Sequence, residues 1–113
     1  MNYKHQHVET IEGVTVVRLT DNALDELDEF TYPNPESMEL IHEFSDAVRH
    51  SSCEIILDAR KVERLNHASV ALLTQFARVS KKANKQLTIQ CQSTVMELLD
   101  LCRLGELARL TTE

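Results

Sequence analysis

The stretch CEIILDARKVERLNHASVALLTQFARVSKKANKQLTIQC, residues 53–91, decides the architecture. Its first segment, Cys53 to Leu57 ending at Asp58, is a short, nearly continuous apolar run, as expected of a strand buried on both faces in a parallel sheet. Ala68 to Asn84 then reads as a helix. Leu72, Phe76 and Val79 form one row, and Val70, Leu73 and Ala77 form its neighbour. Lys81, Lys82 and Lys85 crowd the end of that helix, where cations suit the negative pole of the helix dipole. Leu87, Ile89 and Cys91 alternate with Thr88 and Gln90, the period-two signature of a second strand. Strand, helix, strand in about forty residues is a βαβ unit, whose crossover is right-handed.

Outward from this unit the alternation continues. Val14 to Leu19 is rich in β-branched residues and reads as a strand. Asn34-Pro35 is a helix start, because Asn caps and Pro suits the first helical position. Met38, Ile41, Phe44 and Val48 follow at helical spacing, widened by Leu40 and Ala47, to an end near His50-Ser51-Ser52. Thr94-x-x-Glu97 has the form of a capping box, followed by Val95, Leu98, Leu99 and Cys102 on one stripe. Leu104, Leu107 and Leu110 close the chain as a helical turn or a short strand. Asp21 to Thr31 is acidic, and Ala23 to Leu27 is open between a short strand and a helical turn. Met1 to Glu9 reads as a flexible lead-in. The pattern predicts a single α/β domain over residues 1–113, with its core at about 12–110.

Composition removes several function classes. The 113 residues carry 12 Lys and Arg against 18 Asp and Glu, a net charge of −6. That balance, with sparse aromatics and no Trp, opposes nucleic-acid binding. No apolar run approaches the ~20 residues of a membrane span, and the N-terminal residues lack a secretory signal, so a cytoplasmic protein without membrane insertion is expected. Cys53, Cys91 and Cys102 form no CxxC pair and are expected to be buried, reduced thiols. His5 and His7 make an H-x-H pair, but His42 and His50 are distant and no third ligand is in sight, so no metal is expected. Without a G-x-S-x-G elbow or a glycine-rich phosphate loop, neither an enzyme nor a bound cofactor is expected.

Charge is unevenly placed. Asp21 to Asp46 holds nine acids and no Lys or Arg, whereas Arg60 to Lys85 holds seven bases and one acid. Such poles suit steered docking or head-to-tail self-association into a homo-oligomer. Asp58, at the end of a central strand, and Arg60, in the next loop, are candidates for binding a small ligand or nucleotide phosphate. A turn-forming Asp and a solvated loop are the plainer alternatives.

From Cys53 to Leu110 the chain resembles a STAS domain, the module of sulfate transporters and anti-sigma factor antagonists. The resemblance rests on an ordered set: Ile55-Ile-Leu-Asp58, Val62-Glu-Arg-Leu65, Asn66-His-Ala-Ser69, Val70-Ala-Leu-Leu73, Lys85-Gln-Leu-Thr-Ile89 and Val95-Met-Glu-Leu-Leu99. Val14 to Leu19 fits the family's first strand. The resemblance implies a mixed, mainly parallel sheet with helices packed mostly on one face. It implies a non-catalytic bacterial signalling and transcription-regulating module whose partner is an anti-sigma factor or another kinase-fold protein, with a phosphatase as a further candidate. The implied partner face is Glu63, Arg64, Asn66, His67, Ala68, Ser69, Val70 and Leu73. The alternatives are a scaffold or accessory subunit of a larger complex, and a small-ligand sensor.

The loop before the helix departs from the family pattern. Asn66 stands where an Asp is usual, and His67 where antagonists carry the Ser that a kinase phosphorylates. Ala68 replaces a second Ser, Ser69 replaces a Gly, and a late Gly is replaced by Arg103. His67, the switch-site equivalent, has no hydroxyl. Docking without Ser phosphorylation at that position is therefore expected. A two-residue slip would bring Ser69 to the role, but inside the helix start.

Overall fold

The computed structural model describes Tyr3 and residues 6–19, 32–51 and 54–112. Its elements in chain order are β1 (Gln6–Ile11), β2 (Val14–Leu19), α1 (Pro35–Arg49), β3 (Glu54–Asp58), α2 (His67–Lys82), β4 (Gln86–Gln90), α3 (Ser93–Leu101), a 3-10 turn (Leu104–Glu106) and β5 (Arg109–Thr111). The five strands form one mixed sheet in the order β1-β2-β3-β4-β5. β1 is antiparallel to β2, and β2, β3, β4 and β5 run parallel. Ala23–Leu27, open between a short strand and a helical turn, and Cys53 lie outside the described residues.

β1 corrects the reading of a flexible lead-in, because Gln6 to Glu9 are strand. Ile11 pairs with Val14 across a two-residue loop, with Glu12 at φ 50° and Gly13 at φ 82°. Positive φ at both positions is the type I′ hairpin turn, whose twist matches that of paired strands and whose second position suits glycine. Two side chains tie this end of the chain to α1. Gln6 Nε2 donates to the Leu40 carbonyl at 3.1 Å, and Tyr3 Oη donates to Asp46 Oδ2 at 2.7 Å.

Strand register separates the two faces of the sheet. Thr15, Ile55 and Leu87 are in line, as are Val17, Leu57, Ile89 and Leu110. Val17, Ile55, Leu57, Leu87 and Ile89 are buried in one core with residues of all three helices, including Leu40, Phe44, Leu72, Phe76, Val95 and Leu99. The helices thus pack on this face. On the other face Ile56, Asp58, Thr88 and Gln90 are only half-buried. α1 and α2 meet through Phe44 and Phe76, stacked with ring centroids 4.1 Å apart and planes 7° from parallel. Truncating a ring in so buried a pair removes about 3–5 kcal/mol.

The faces of α1 and α3 differ from those expected. In α1 the buried stripe runs through Ser37, Leu40, Phe44, Ala47 and Val48, and Met38 is 56% exposed. Met38 lies one step, about 100°, from Ser37, so it turns away from the Leu40–Phe44 row. α3 begins one residue before Thr94, and the Met96 amide donates to the Gln92 carbonyl at 2.8 Å. Thr94 is therefore helical, the cap is Gln92 without a side-chain bond, and the capping-box reading fails. Val95 and Leu99 are buried, but Leu98, Leu101 and Cys102 are exposed. Cys102 is thus not the buried thiol expected, whereas Cys91 is buried.

Candidate functional site at the start of α2

β3 delivers the chain to the top of the sheet, and residues 59–66 carry it to α2. The loop is tethered at three points. The Ala59 amide donates to the Gln90 carbonyl at 2.8 Å and the Val62 amide to the Ala59 carbonyl at 3.1 Å. Gln92 Nε2 donates to the Arg60 carbonyl at 2.9 Å. Val62 and Leu65 pack against the core, which leaves Glu63 and Arg64 exposed between them. The two apolar residues anchor the loop at either side of the exposed charged pair.

Asn66 caps α2. Its Oδ1 accepts the Ser69 amide at 2.9 Å and the Ser69 hydroxyl at 3.1 Å, while the Asn66 amide donates to Ser69 Oγ at 3.4 Å. Asn34 and Ser37 build the same reciprocal box at α1, with both amide bonds at 2.9 Å. Each helix thus opens on Asn-x-x-Ser, with Ser in the place of the more familiar Glu. Sequence reasoning found the cap at Asn34 and missed both serines.

The cap also sets the phase of the helix, and that phase divides the expected partner face. Glu63, Arg64 and His67 are exposed, and Asn66 and Val70 are half-buried. Ala68, Ser69 and Leu73 are buried, at 1%, 0% and 0% exposure, and belong to the interior rather than to a contact surface. The accessible row of α2 continues instead through Ala71, Thr74 and Gln75. The only hydroxyl in the Asn66–Ser69 turn is therefore buried and bonded within the cap.

Asp58 and Arg60 come together, and they pair with each other. Asp58 Oδ1 accepts Arg60 Nε at 2.9 Å and the Arg60 amide at 3.2 Å, and Oδ2 accepts Arg60 Nη2 at 2.9 Å. Arg18 Nε approaches Asp58 Oδ2 at 3.5 Å and is also ion-paired with Glu9. These bonds, the one from the Arg60 side chain above all, hold the Asp58 carboxyl below its ordinary range although burial opposes them. Asp58 is thus the turn-forming residue of the plainer reading, and an anion at Arg60 would compete with a bidentate carboxylate already in place. Among the described residues no group of three or more His, Cys, Asp or Glu is placed to hold a metal. No described helix is long and apolar enough to cross a membrane.

At the far end of α3, Arg103 has φ 61° and ψ 24°. This is the left-handed conformation that glycine adopts without cost and that an L side chain adopts at some strain.

Five strands in this order, a leading antiparallel hairpin and three helices on one face define a STAS-like fold. Solved structures agree. The chain superposes on a crystal structure of an anti-sigma factor antagonist from Mycobacterium paratuberculosis with a TM-score of 0.70 and 20% identity, over 96% of this chain and 85% of that one. The unphosphorylated form of the anti-sigma factor antagonist SpoIIAA gives 0.62 and 18%, over 96% and 89%. The NMR structure of the protein TM1081 gives 0.59 and 16%, over 97% and 85%. No family model matches the sequence, and no curated protein does.

Proposed function

We propose that this protein is a non-catalytic docking module that binds an anti-sigma factor or related kinase-fold partner through the start of α2, without Ser phosphorylation at the usual position. The observation that carries the reading is the fold of the anti-sigma factor antagonists combined with a turn whose exposed residue is His67. The contact surface is Glu63, Arg64, His67 and the half-buried Asn66 and Val70, continued along Ala71, Thr74 and Gln75. Its two loop charges and mostly polar row, with Val70 and Ala71 as its apolar part, suit a polar interface of modest size.

A kinase requires a hydroxyl that reaches its phosphoryl donor. Ser69 is fully buried, and its hydroxyl donates to Asn66 Oδ1. Phosphorylation there would require the first turn of α2 to open. The partner's affinity would then be set by its own state rather than by a phosphate added to this chain. A sensor role at Asp58 and Arg60 has weaker support, because the two groups already satisfy one another.

The test is affinity capture from the source cell with the wild-type chain and with an Arg64→Glu/His67→Glu variant, with and without ATP, followed by intact-mass analysis of the bait. Recovery of a kinase-fold protein by the wild type alone, with the bait mass unchanged by ATP, is the expected result. A phosphate mapped to Ser69, or equal recovery by the variant, would refute it.

A further inference from the structure

A second charged surface lies at the opposite end of α2. Arg78, Lys81 and Lys82 follow one another at i, i+3 and i+4, so they form one ridge on α2, and Lys85 comes just past the helix end. Beside this ridge, between the end of α2, the start of β4 and the turn into β5, is a groove of about 440 Å³. Lys81 and Lys85 line one side and Arg109 the other, with Leu107 and Ala108 on its apolar floor and Glu106 the one acid in its lining. Lys85 Nζ donates to the Ser51 carbonyl at 2.8 Å, outside the groove lining, so Lys81 and Arg109 are the cations left to face an occupant.

The helix dipole accounts for Lys81 and Lys82, which sit in the last turn. It does not account for Arg78, a turn further in, nor for Arg109, which comes from β5. Like charges at i and i+4, such as Arg78 and Lys82, oppose the helix. Among the described residues none of Arg78, Lys81, Lys82 and Arg109 has a carboxylate partner within ion-pair distance. On a chain of net charge −6, this cationic concentration thus stands without a counterpart among the described residues.

We infer that this groove docks an extended, carboxylate-rich segment of a protein partner, at a site separate from the α2 start. The cations are strung along a ridge and an opposite wall rather than converging on one point, so they match charges spaced along a chain. A compact phosphate is a poorer fit. The groove opens at the C-terminal, negative end of α2, where a concentrated dianion is repelled, and Glu106 adds to that repulsion. Leu107 and Ala108 give the segment's apolar side chains a seat. The module then has two ends, with one partner at the start of α2 and an acidic segment at its finish.

The experiment is fluorescence anisotropy of a labelled glutamate-rich peptide with the full chain. The wild type is expected to bind, and to weaken about tenfold or more between about 0.05 and 0.3 M salt. Lys81→Glu/Arg109→Glu should lose about tenfold or more in affinity, and the milder Lys81→Gln/Lys82→Gln should weaken binding while leaving the circular dichroism melt unchanged. His67→Ala, at the far end of α2, should bind like the wild type. Equal binding by the charge-altered variants would overturn the inference. Displacement of the peptide by inorganic phosphate where equal ionic strength of acetate has no effect would overturn it in favour of a phosphate site. Salt-sensitive self-association of the chain alone in sedimentation velocity would overturn it in favour of a second copy.

Discussion

Asn66→Ala is the substitution that bears most directly on the geometry of the α2 start. It removes the acceptor of two bonds to Ser69, from the amide at 2.9 Å and from the hydroxyl at 3.1 Å, at a residue with no exposure to water. Loss of a helix N-cap costs about 0.5–2 kcal/mol, and burial of Ser69 places this case near the upper end, at about 1.5–2 kcal/mol. For a chain of 113 residues, each kcal/mol lowers the melting midpoint by about 4 °C. The expected loss is therefore about 6–8 °C, or somewhat under 1 M in the urea midpoint with an unchanged slope. The assay is circular dichroism during thermal and urea denaturation, with Asn34→Ala as the reference because it breaks the same box at α1. Asn66→Asp keeps the acceptor and adds charge at the positive pole of the helix, a gain of about 0.3–1 kcal/mol. That Asp would have its folded pKa depressed. The gain is therefore present above the unfolded value of about 3.9 and lost as pH falls through the folded one. A melting midpoint for Asn66→Ala within about 1 °C of the wild type would refute the cap as the source of the helix phase.

Arg103→Gly relieves a left-handed residue and should stabilise the chain by about 0.5–1 kcal/mol in urea denaturation, net of the greater freedom of the unfolded glycine; a loss of stability would contradict the assignment. Phe76→Ala removes a fully buried ring stacked on Phe44 and should cost about 3–5 kcal/mol, measured by the same method. Asp58 has a depressed pKa in the folded chain, so its contribution is present above about pH 4 and lost as pH falls further; Asp58→Asn should flatten the acid limb of the stability profile. Burial and the hydrogen bond to Asp46 push the Tyr3 phenol up to about 12, so its contribution to stability is full below about pH 10 and falls as pH rises toward 12; Tyr3→Phe should lessen the alkaline slope and leave the part that comes from Tyr32, whose phenol burial also raises.

The parallel core was readable because its signals are redundant. Asn34-Pro35 announces α1 chemically and Phe44–Val48 announces it by period, and the two agree with the helix found at Pro35–Arg49. β1 carried no such redundancy. Gln6, Glu9 and Thr10 make it polar, and Glu12-Gly13 is not the Asn-Gly or Asp-Gly pair that marks a two-residue hairpin. Its place is set by Val14–Leu19 as a template, which no local pattern within residues 6–11 reveals. Thr94-x-x-Glu97 shows the converse error, since the pattern is satisfied by letters while the first helical bond is accepted two residues earlier, by Gln92. At the candidate site the resemblance pointed to residues 63–73, but residue type alone does not say which of their side chains face out. One bond at Asn66 turns Ser69 and Leu73 inward and leaves His67 outward. That distinction, which decides between a phosphorylatable and a closed turn, depends on helix phase rather than on residue type.

The order of the strands has a kinetic consequence. Ile11 and Val14 pair after closing a two-residue turn, whereas Val17 and Leu57 must be brought together from 40 positions apart in the chain. Closure entropy grows with the logarithm of loop length, so the hairpin is the one part of the sheet that forms at local cost. β2 belongs to both ladders. Once zipped to β1, it presents Thr15 and Val17 as a pre-formed edge on which the slow parallel pairing with Ile55 and Leu57 condenses. The polar strand that sequence reading passed over is thereby a candidate seed for the folding nucleus, and the Glu12-Gly13 turn is the place where folding speed is most open to adjustment.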